Sequence, residues 1–194
     1  MDTEALSPPA GRELILGGQR SGKSRRAEAL AAAWLADAPA RRAVLVATAR
    51  AHDDEMQQRI ARHRADRALR VPALQTDEQP LDLAAALRRH GAADTLVLVD
   101  CLTLWLTNLR MPWPESSAAG DAAAPVDDFL RALEACTGPV VIVGNEIGLG
   151  VIPMGRETRA FVDALGQLNQ QVAARCERVT FMAAGLPLAL KGGR

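Results

Sequence analysis

The chain has 194 residues, 48% hydrophobic and 24% charged, and its 23 basic and 23 acidic side chains cancel to a formal net charge of zero. That length and apolar content fit one globular domain with a sizeable core and exclude an intrinsically disordered chain. A zero balance argues against a protein that grips nucleic acid by counterion release, and 3% aromatic residues with no Tyr leave little for base stacking.

Residues 1–12, which include the acidic start Met1-Asp2-Thr3-Glu4 and then Pro8-Pro9, are expected to form a disordered tail. They lack the basic and apolar regions of a secretory signal. The first strand is predicted over Glu13–Leu16 and the first helix over Lys23–Asp37. A strand follows at Ala43–Thr48, a helix at Asp53–Ala68, a loop between the prolines of Arg70–Pro80, and a helix at Leu81–His90. Next come a strand at Thr95–Val99, a helix at Cys101–Arg110, a Pro- and Ser-rich excursion at Met111–Pro125, and a helix at Val126–Cys136. Strand Val140–Val143, helix Glu157–Cys176 and strand Arg178–Met182 complete the pattern.

Strands rich in Val, Ile and Leu that alternate with helices imply a mostly parallel sheet covered on both faces. The fold class expected is α/β, a three-layer P-loop NTPase-like domain over residues 13–194. The longest apolar run, Thr95–Leu106, is broken by Asp100 and is too short to span a bilayer. Three widely spaced cysteines with no CxxC pair, Cys101, Cys136 and Cys176, suit free thiols in a reducing cytoplasm.

Between the first strand and first helix stands Gly17-Gly18-Gln19-Arg20-Ser21-Gly22-Lys23-Ser24, a match to GxxxxGK[ST]. Glycines let successive backbone N–H groups face a phosphate at a helix N-terminus. Lys23 reaches the β- and γ-phosphates, and the Ser24 hydroxyl can ligate Mg²⁺. The acid expected to complete the metal shell is Asp100, at the end of Thr95-Leu96-Val97-Leu98-Val99-Asp100. Asp100 equally fits a cap for the following helix, and the two duties are compatible. No NKxD follows the late strand, which ends in Gly144-Asn145-Glu146, and this weighs against a regulatory GTPase. Strand ends in parallel sheets face ligands, so Asn145 and Glu146 fit either a ligand contact or the turn that follows.

A second constellation lies on the helix opened by Asp53-Asp54-Glu55. Three acids suit the positive end of a helix dipole. Arg59, His63 and Arg67 then share one face at i, i+4 spacing, with Met56 and Ile60 on the adjoining stripe. This arrangement suits nucleotidyl transfer, and it equally suits a solvated basic helix with a surface histidine. Covalent nucleotidyl transferases commonly use Lys or His as the nitrogen nucleophile. The only lysines are Lys23 and Lys191, neither in a KxDG context, so histidine remains. His52 and His90 occupy positions better suited to structural roles.

The phosphate loop with Arg25, Asp53-Asp54-Glu55-Met56 with Arg59-Ile60 and His63-Arg64, Val99-Asp100-Cys101-Leu102-Thr103-Leu104-Trp105-Leu106-Thr107-Asn108-Leu109, Asn145 to Pro153, Leu168-Asn169-Gln170 and Ala184-Gly185-Leu186-Pro187 occur in this order. Together they resemble the bifunctional adenosylcobinamide kinase / adenosylcobinamide-phosphate guanylyltransferase family of cobalamin biosynthesis, over about residues 13–191. The resemblance implies phosphorylation of adenosylcobinamide by ATP or GTP, then transfer of GMP from GTP through a guanylylated histidine to give adenosyl-GDP-cobinamide, with Mg²⁺ and no redox cofactor. It places the covalent histidine at His63; some members carry two adjacent histidines where this chain has Arg62-His63. It implies nucleotide contacts at residues 17–24, Thr48, Ala49, Arg50, Arg67, Glu78 and Asp100, with metal at Ser24 and Asp100. The Trp-x-Thr-x-Glu pattern of many members is reduced here to Leu74-Gln75-Thr76-Asp77-Glu78. Trp105 fits the core or a corrin contact. The family further implies a homotrimer with small-molecule substrates and no nucleic-acid partner. Two rivals stay open at this level, a P-loop kinase without the transferase step and a nucleotide-dependent switch protein.

Overall fold

A computed structural model describes residues 7–51, 53–111 and 122–193. Seven strands form one sheet: β1 (Arg12–Gly17), β2 (Arg42–Ala47), β3 (Gln75–Glu78), β4 (Thr95–Asp100), β5 (Val140–Val143), β6 (Arg178–Ala183) and β7 (Leu186–Lys191). Among the described residues six helices connect them: α1 (Lys23–Asp37), α2 (Asp54–Arg70), α3 (Leu83–His90), α4 (Leu102–Arg110), α5 (Ala123–Ala135) and α6 (Arg156–Arg175). The strand order is β3-β2-β4-β5-β1-β6-β7, parallel except for the β6–β7 hairpin.

Period-2 alternation along each central strand sends side chains to two cores. Leu14, Leu16, Val97, Val99, Val140 and Ile142 pack with Leu83, Leu87, Trp105, Phe129, Leu133, Leu165 and Leu168 from α3, α4, α5 and α6. Ile15, Leu96, Leu98, Val141 and Val143 pack with Ala27, Leu30, Ala31 and Trp34 of α1 and with Val71 and Leu74. Trp105 and Phe129 are fully buried, with ring centroids 5.0 Å apart. Truncating either to Ala would cost about 3–5 kcal/mol through lost burial and the cavity left behind. The Trp105 indole N–H also donates to Leu81 O at 2.7 Å, so this residue belongs to the core and offers no surface to a corrin.

Four expectations are corrected. The stretch expected as loop over Arg70–Pro80 contains β3, which pairs with β2 from Val44↔Gln75 to Ala47↔Glu78. Its polar residues alternate on an edge strand that buries little, and so they carry no apolar signal. β7 was not anticipated either. It returns antiparallel to β6 through Ala184 and Gly185, both with left-handed φ (51° and 81°), the backbone that a tight hairpin turn needs. Helix α5 starts at Ala123 and takes in Pro125, whose missing N–H is harmless in a first turn. The rest of the expected excursion, residues 112–121, lies outside the described residues, as does His52. Finally, Arg12 belongs to β1 instead of the tail: its N–H donates to Glu177 at 2.6 Å and its guanidinium pairs with the same carboxylate.

No helix among the described residues is long and apolar enough to cross a membrane. Helix α2 differs from the others in having no buried side chain. It is capped by Asp53, which accepts from Met56 N at 2.7 Å, and it stands at the carboxyl end of the sheet.

Candidate active site

The turn from β1 into α1 builds an anion cradle. Gly17 has φ 151°, and a Cβ there would lie 2.4 Å from Met182 O, so the loop can begin only with glycine. Gly22, at φ 101°, is the N-cap of α1. It brings no capping side chain, and no acid stands in the helix's first turn, so the first N–H groups and the positive end of the dipole remain available to a phosphate. The loop is braced on both sides. Glu146 N donates to Gly17 O and Gly185 N donates to Ser21 O, each at 3.1 Å. Lys23 is buried and its Nζ donates to Gly18 O at 2.6 Å, holding the ammonium inside the cradle. Burial lowers its pKa, and the charges of Cys101 and Asp100 oppose that shift.

Asp100 ends β4, level with Ala47 of β2 and Val143 of β5. Burial pushes its carboxyl above the ordinary carboxylate range; the Ser24 hydroxyl hydrogen-bonds to it, and His63, Arg67 and Lys23 add positive charge, all acting in the opposite direction. The carboxylate of Asp100 therefore feels positive charge from both the phosphate loop and α2, separate in sequence. Ser24 and Asp100 offer a hydroxyl and a carboxylate side by side, hard oxygen donors that fit Mg²⁺.

His63 is exposed on α2. Arg67, one turn on, is half-buried; burial lowers its pKa while Glu28 and Asp100 oppose the shift, and its Nη2 lies 3.5 Å from Thr76 Oγ1. Arg64 forms an ion pair with Glu78 at the end of β3. Between α2 and β3 lies a cavity of about 280 Å³, lined by Arg64, Arg67, Pro72, Leu74, Thr76 and Glu78. A larger hollow of about 450 Å³ lies where Arg12 and Glu177 meet Arg175 and Lys191, at the opposite end of the strands from the phosphate loop. Its charges are already paired, Arg12 with Glu177 and Arg175 with Glu134.

Thr48, Ala49 and Arg50 follow β2 at the same end as Asp100. Thr48 is fully buried and its hydroxyl is spent on the protein, donating to Cys101 O and accepting from Cys101 N, both at 2.8 Å. Buried Asn108 extends this network by donating to Thr48 O at 2.8 Å and Pro80 O at 3.0 Å. Asn108 stands in the Val99–Leu109 motif, but had no role assigned from sequence. A lone amide in an otherwise apolar helix was the available signal. His90 lies at the end of α3 with Nε2 2.9 Å from Asp77, a contact that ties α3 to β3 away from the phosphate loop.

The sequence profile of the cobinamide kinase / cobinamide phosphate guanyltransferase family matches residues 13–190. A bifunctional adenosylcobalamin biosynthesis protein, CobP, of Pseudomonas aeruginosa is 50% identical over 182 residues, covering 93% of this chain and 98% of that protein. CobU proteins described in the same words, from Salmonella typhimurium and Escherichia coli, are 35% and 32% identical, each alignment covering 92% of this chain and 98% of the relative. In three dimensions the chain is similar to the flagellar accessory protein FlaH of Methanocaldococcus jannaschii, with a TM-score of 0.53 over 97% of this chain and 83% of that one; at 13% identity this likeness speaks for the fold alone. With a profile match across the domain and relatives aligned nearly end to end, the chain belongs to the cobinamide kinase / cobinamide phosphate guanyltransferase family.

Proposed function

We propose that this chain carries out both family reactions: phosphorylation of adenosylcobinamide by ATP or GTP, and transfer of GMP to the product through a guanylylated His63. The observation that carries the reading is the convergence of Lys23 and Ser24 from the phosphate loop with His63 and Arg67 from α2 on Asp100. A kinase alone gives no role to a histidine in the electrostatic field of that acid.

In the first reaction the α1 N-terminus and Lys23 hold the triphosphate, and their positive charge stabilises the γ-phosphoryl group as it moves to the substrate hydroxyl. Ser24 and Asp100 would hold Mg²⁺, which would supply neutralisation of phosphate charge. In the second, a ring nitrogen of His63 bonds to the α-phosphorus of GTP as the bond to the pyrophosphate oxygen breaks. Arg67, with Arg59 on the same face, offsets the charge on that phosphorus. A phosphate oxygen of adenosylcobinamide phosphate then displaces the histidine, giving adenosyl-GDP-cobinamide. The cavity between α2 and β3 suits the nucleoside, with Glu78 and Thr76 as polar partners for guanine or ribose and Leu74 and Pro72 as its apolar lining. Thr48, Ala49 and Arg50 complete the nucleotide surround, Thr48 by fixing the backbone next to Asp100.

The chain is also proposed to associate as a homotrimer in the cytoplasm. Leu186, Leu188 and Leu190 on edge strand β7 and Leu149, Val151 and Ile152 after β5 are all more than half exposed, the kind of apolar surface that subunit contact covers.

The test is a chase. Protein incubated with α-labelled GTP should acquire an acid-labile, base-stable label and release it on addition of adenosylcobinamide phosphate, yielding labelled adenosyl-GDP-cobinamide. A protein that forms the phosphorylated cobinamide but never takes up label contradicts the second half of the reading.

A further inference from the structure

Strand β5 lies between β1, which leads into the phosphate loop, and β4, which ends in Asp100. Val143 is level with Ile15 on one side and with Asp100 on the other. Continuing that register by two residues puts Asn145 beside Gly17, and Glu146 N donating to Gly17 O at 3.1 Å agrees with this placement. The backbone of Asn145 is held from two helices. Its N–H donates to Thr103 Oγ1 of α4 at 3.0 Å, and its carbonyl accepts from Asn169 Nδ2 of α6 at 3.1 Å. Asn169 is itself buried. Before it, Gly144 is tied to Ile15 O and is closely surrounded, since a Cβ would lie 3.0 Å from Leu16 Cδ2 and 3.1 Å from Asn169 Oδ1 and would press on both side chains. After it, Glu146 turns its Oε1 to Gly148 N at 3.1 Å. The half-buried side-chain amide of Asn145 makes no hydrogen bond among the described residues.

Two helices thus commit side chains to the backbone of a residue whose own amide is uncommitted, midway between the phosphate cradle and the metal-site acid. We propose that Asn145 is a catalytic residue of the kinase step, its amide N–H donating to an oxygen of the γ-phosphoryl group in flight, with Thr103 and Asn169 as positioning residues. The inference rests on the phosphate-loop reading above. In that step the substrate oxygen bonds to the γ-phosphorus as the bond to the β,γ-bridging oxygen breaks, the hydroxyl proton passing to solvent. The amide neither gains nor loses a proton. A donor fixed in advance is most effective where charge gathers in the transition state, so its loss falls on kcat more than on nucleotide binding.

The experiment measures adenosylcobinamide phosphorylation and, separately, labelling of the same preparations by α-labelled GTP. Asn145→Ala should lower kcat about 10²-fold, as removal of one preorganised donor does, and change KM for the nucleotide less than about threefold. Labelling should fall at least tenfold less. Asn145→Asp, nearly isosteric, should be slower still because it sets a negative charge against the phosphate. Thr103→Val should lose part of the rate and Thr103→Ser should retain it. A kcat within about twofold of wild type in Asn145→Ala overturns the inference, and so does equal loss of both activities, which marks a structural role. If Lys23→Ala abolishes phosphorylation while Asn145→Ala does not, this inference alone fails. Should Lys23→Ala leave phosphorylation intact, the phosphate-loop reading fails with it.

Discussion

Thr48 and Cys101 are joined by two hydrogen bonds through one hydroxyl, which donates to the Cys101 carbonyl and accepts from its N–H, each at 2.8 Å. The pair ties the end of β2 to the residue that follows Asp100, so the height of the Asp100 carboxylate above the sheet is set by a threonine 52 positions earlier in the chain.

Thr48→Val keeps the shape and removes both bonds, leaving the buried Cys101 N–H without a partner while the Cys101 carbonyl keeps the Trp105 N–H at 3.1 Å. The loss should be about 1–3 kcal/mol of stability, read as a lower urea midpoint at unchanged slope. Thr48→Ser should recover most of it. If Thr48→Val melts with the wild type, the hydroxyl is not the tie described.

Asp100 provides a test by pH. A carboxyl whose pKa is raised in the folded chain contributes stability that is full below its unfolded pKa and lost as the pH rises through its folded pKa. Burial raises the pKa of Asp100. Without metal or nucleotide, Asp100→Asn should therefore be more stable than wild type at neutral pH, the gap closing as the pH falls toward the ordinary aspartate value of about 4. The same variant should phosphorylate adenosylcobinamide slowly and demand more Mg²⁺. Denaturation across a pH series settles the first point. Cys101, not Asp100, is the N-cap of α4, and no side chain caps that helix; an Asn variant less stable than wild type at neutral pH would show that the charge of the carboxylate stabilises the fold through its neighbours.

Most of the fold was legible because the central strands are apolar on both faces and the phosphate loop fixes the first β-to-α turn. The edges were not, for a physical reason. Gln75-Thr76-Asp77-Glu78 buries little and its pairing is decided by backbone bonds to β2, while β7 depends on a turn at Ala184-Gly185 whose left-handed backbone leaves a weak trace in sequence. The same divide runs through the site. Motif spacing was enough to nominate Lys23, Ser24 and Asp100; the helical face of Arg59, His63 and Arg67 left two readings open, and the family resemblance placed the covalent histidine at His63. Local sequence does not encode which distant side chains hold the strand ends, so Thr103, Asn108 and Asn169, though they stand in the family motifs, took on roles only with the tertiary contacts.

The apolar edge carries its own test. Leu188, in the middle of β7, is 59% exposed. Leu188→Asp puts a charge on the surface proposed to be shared between subunits, and light scattering should show the wild-type trimer giving way to monomer. A trimer that survives the change places the subunit contact elsewhere.

The central claim is that two chemistries share one metal-site acid but only one of them needs α2's histidine. The measurement is a paired assay of His63→Ala: label transferred to protein from α-labelled GTP, and adenosylcobinamide phosphate formed from ATP. The account predicts no protein label and no adenosyl-GDP-cobinamide, with phosphorylation within a few-fold of wild type, because transfer of the γ-phosphoryl group relies on the cradle, Lys23 and Asp100. Label that persists in His63→Ala, or that maps to another residue, would contradict it.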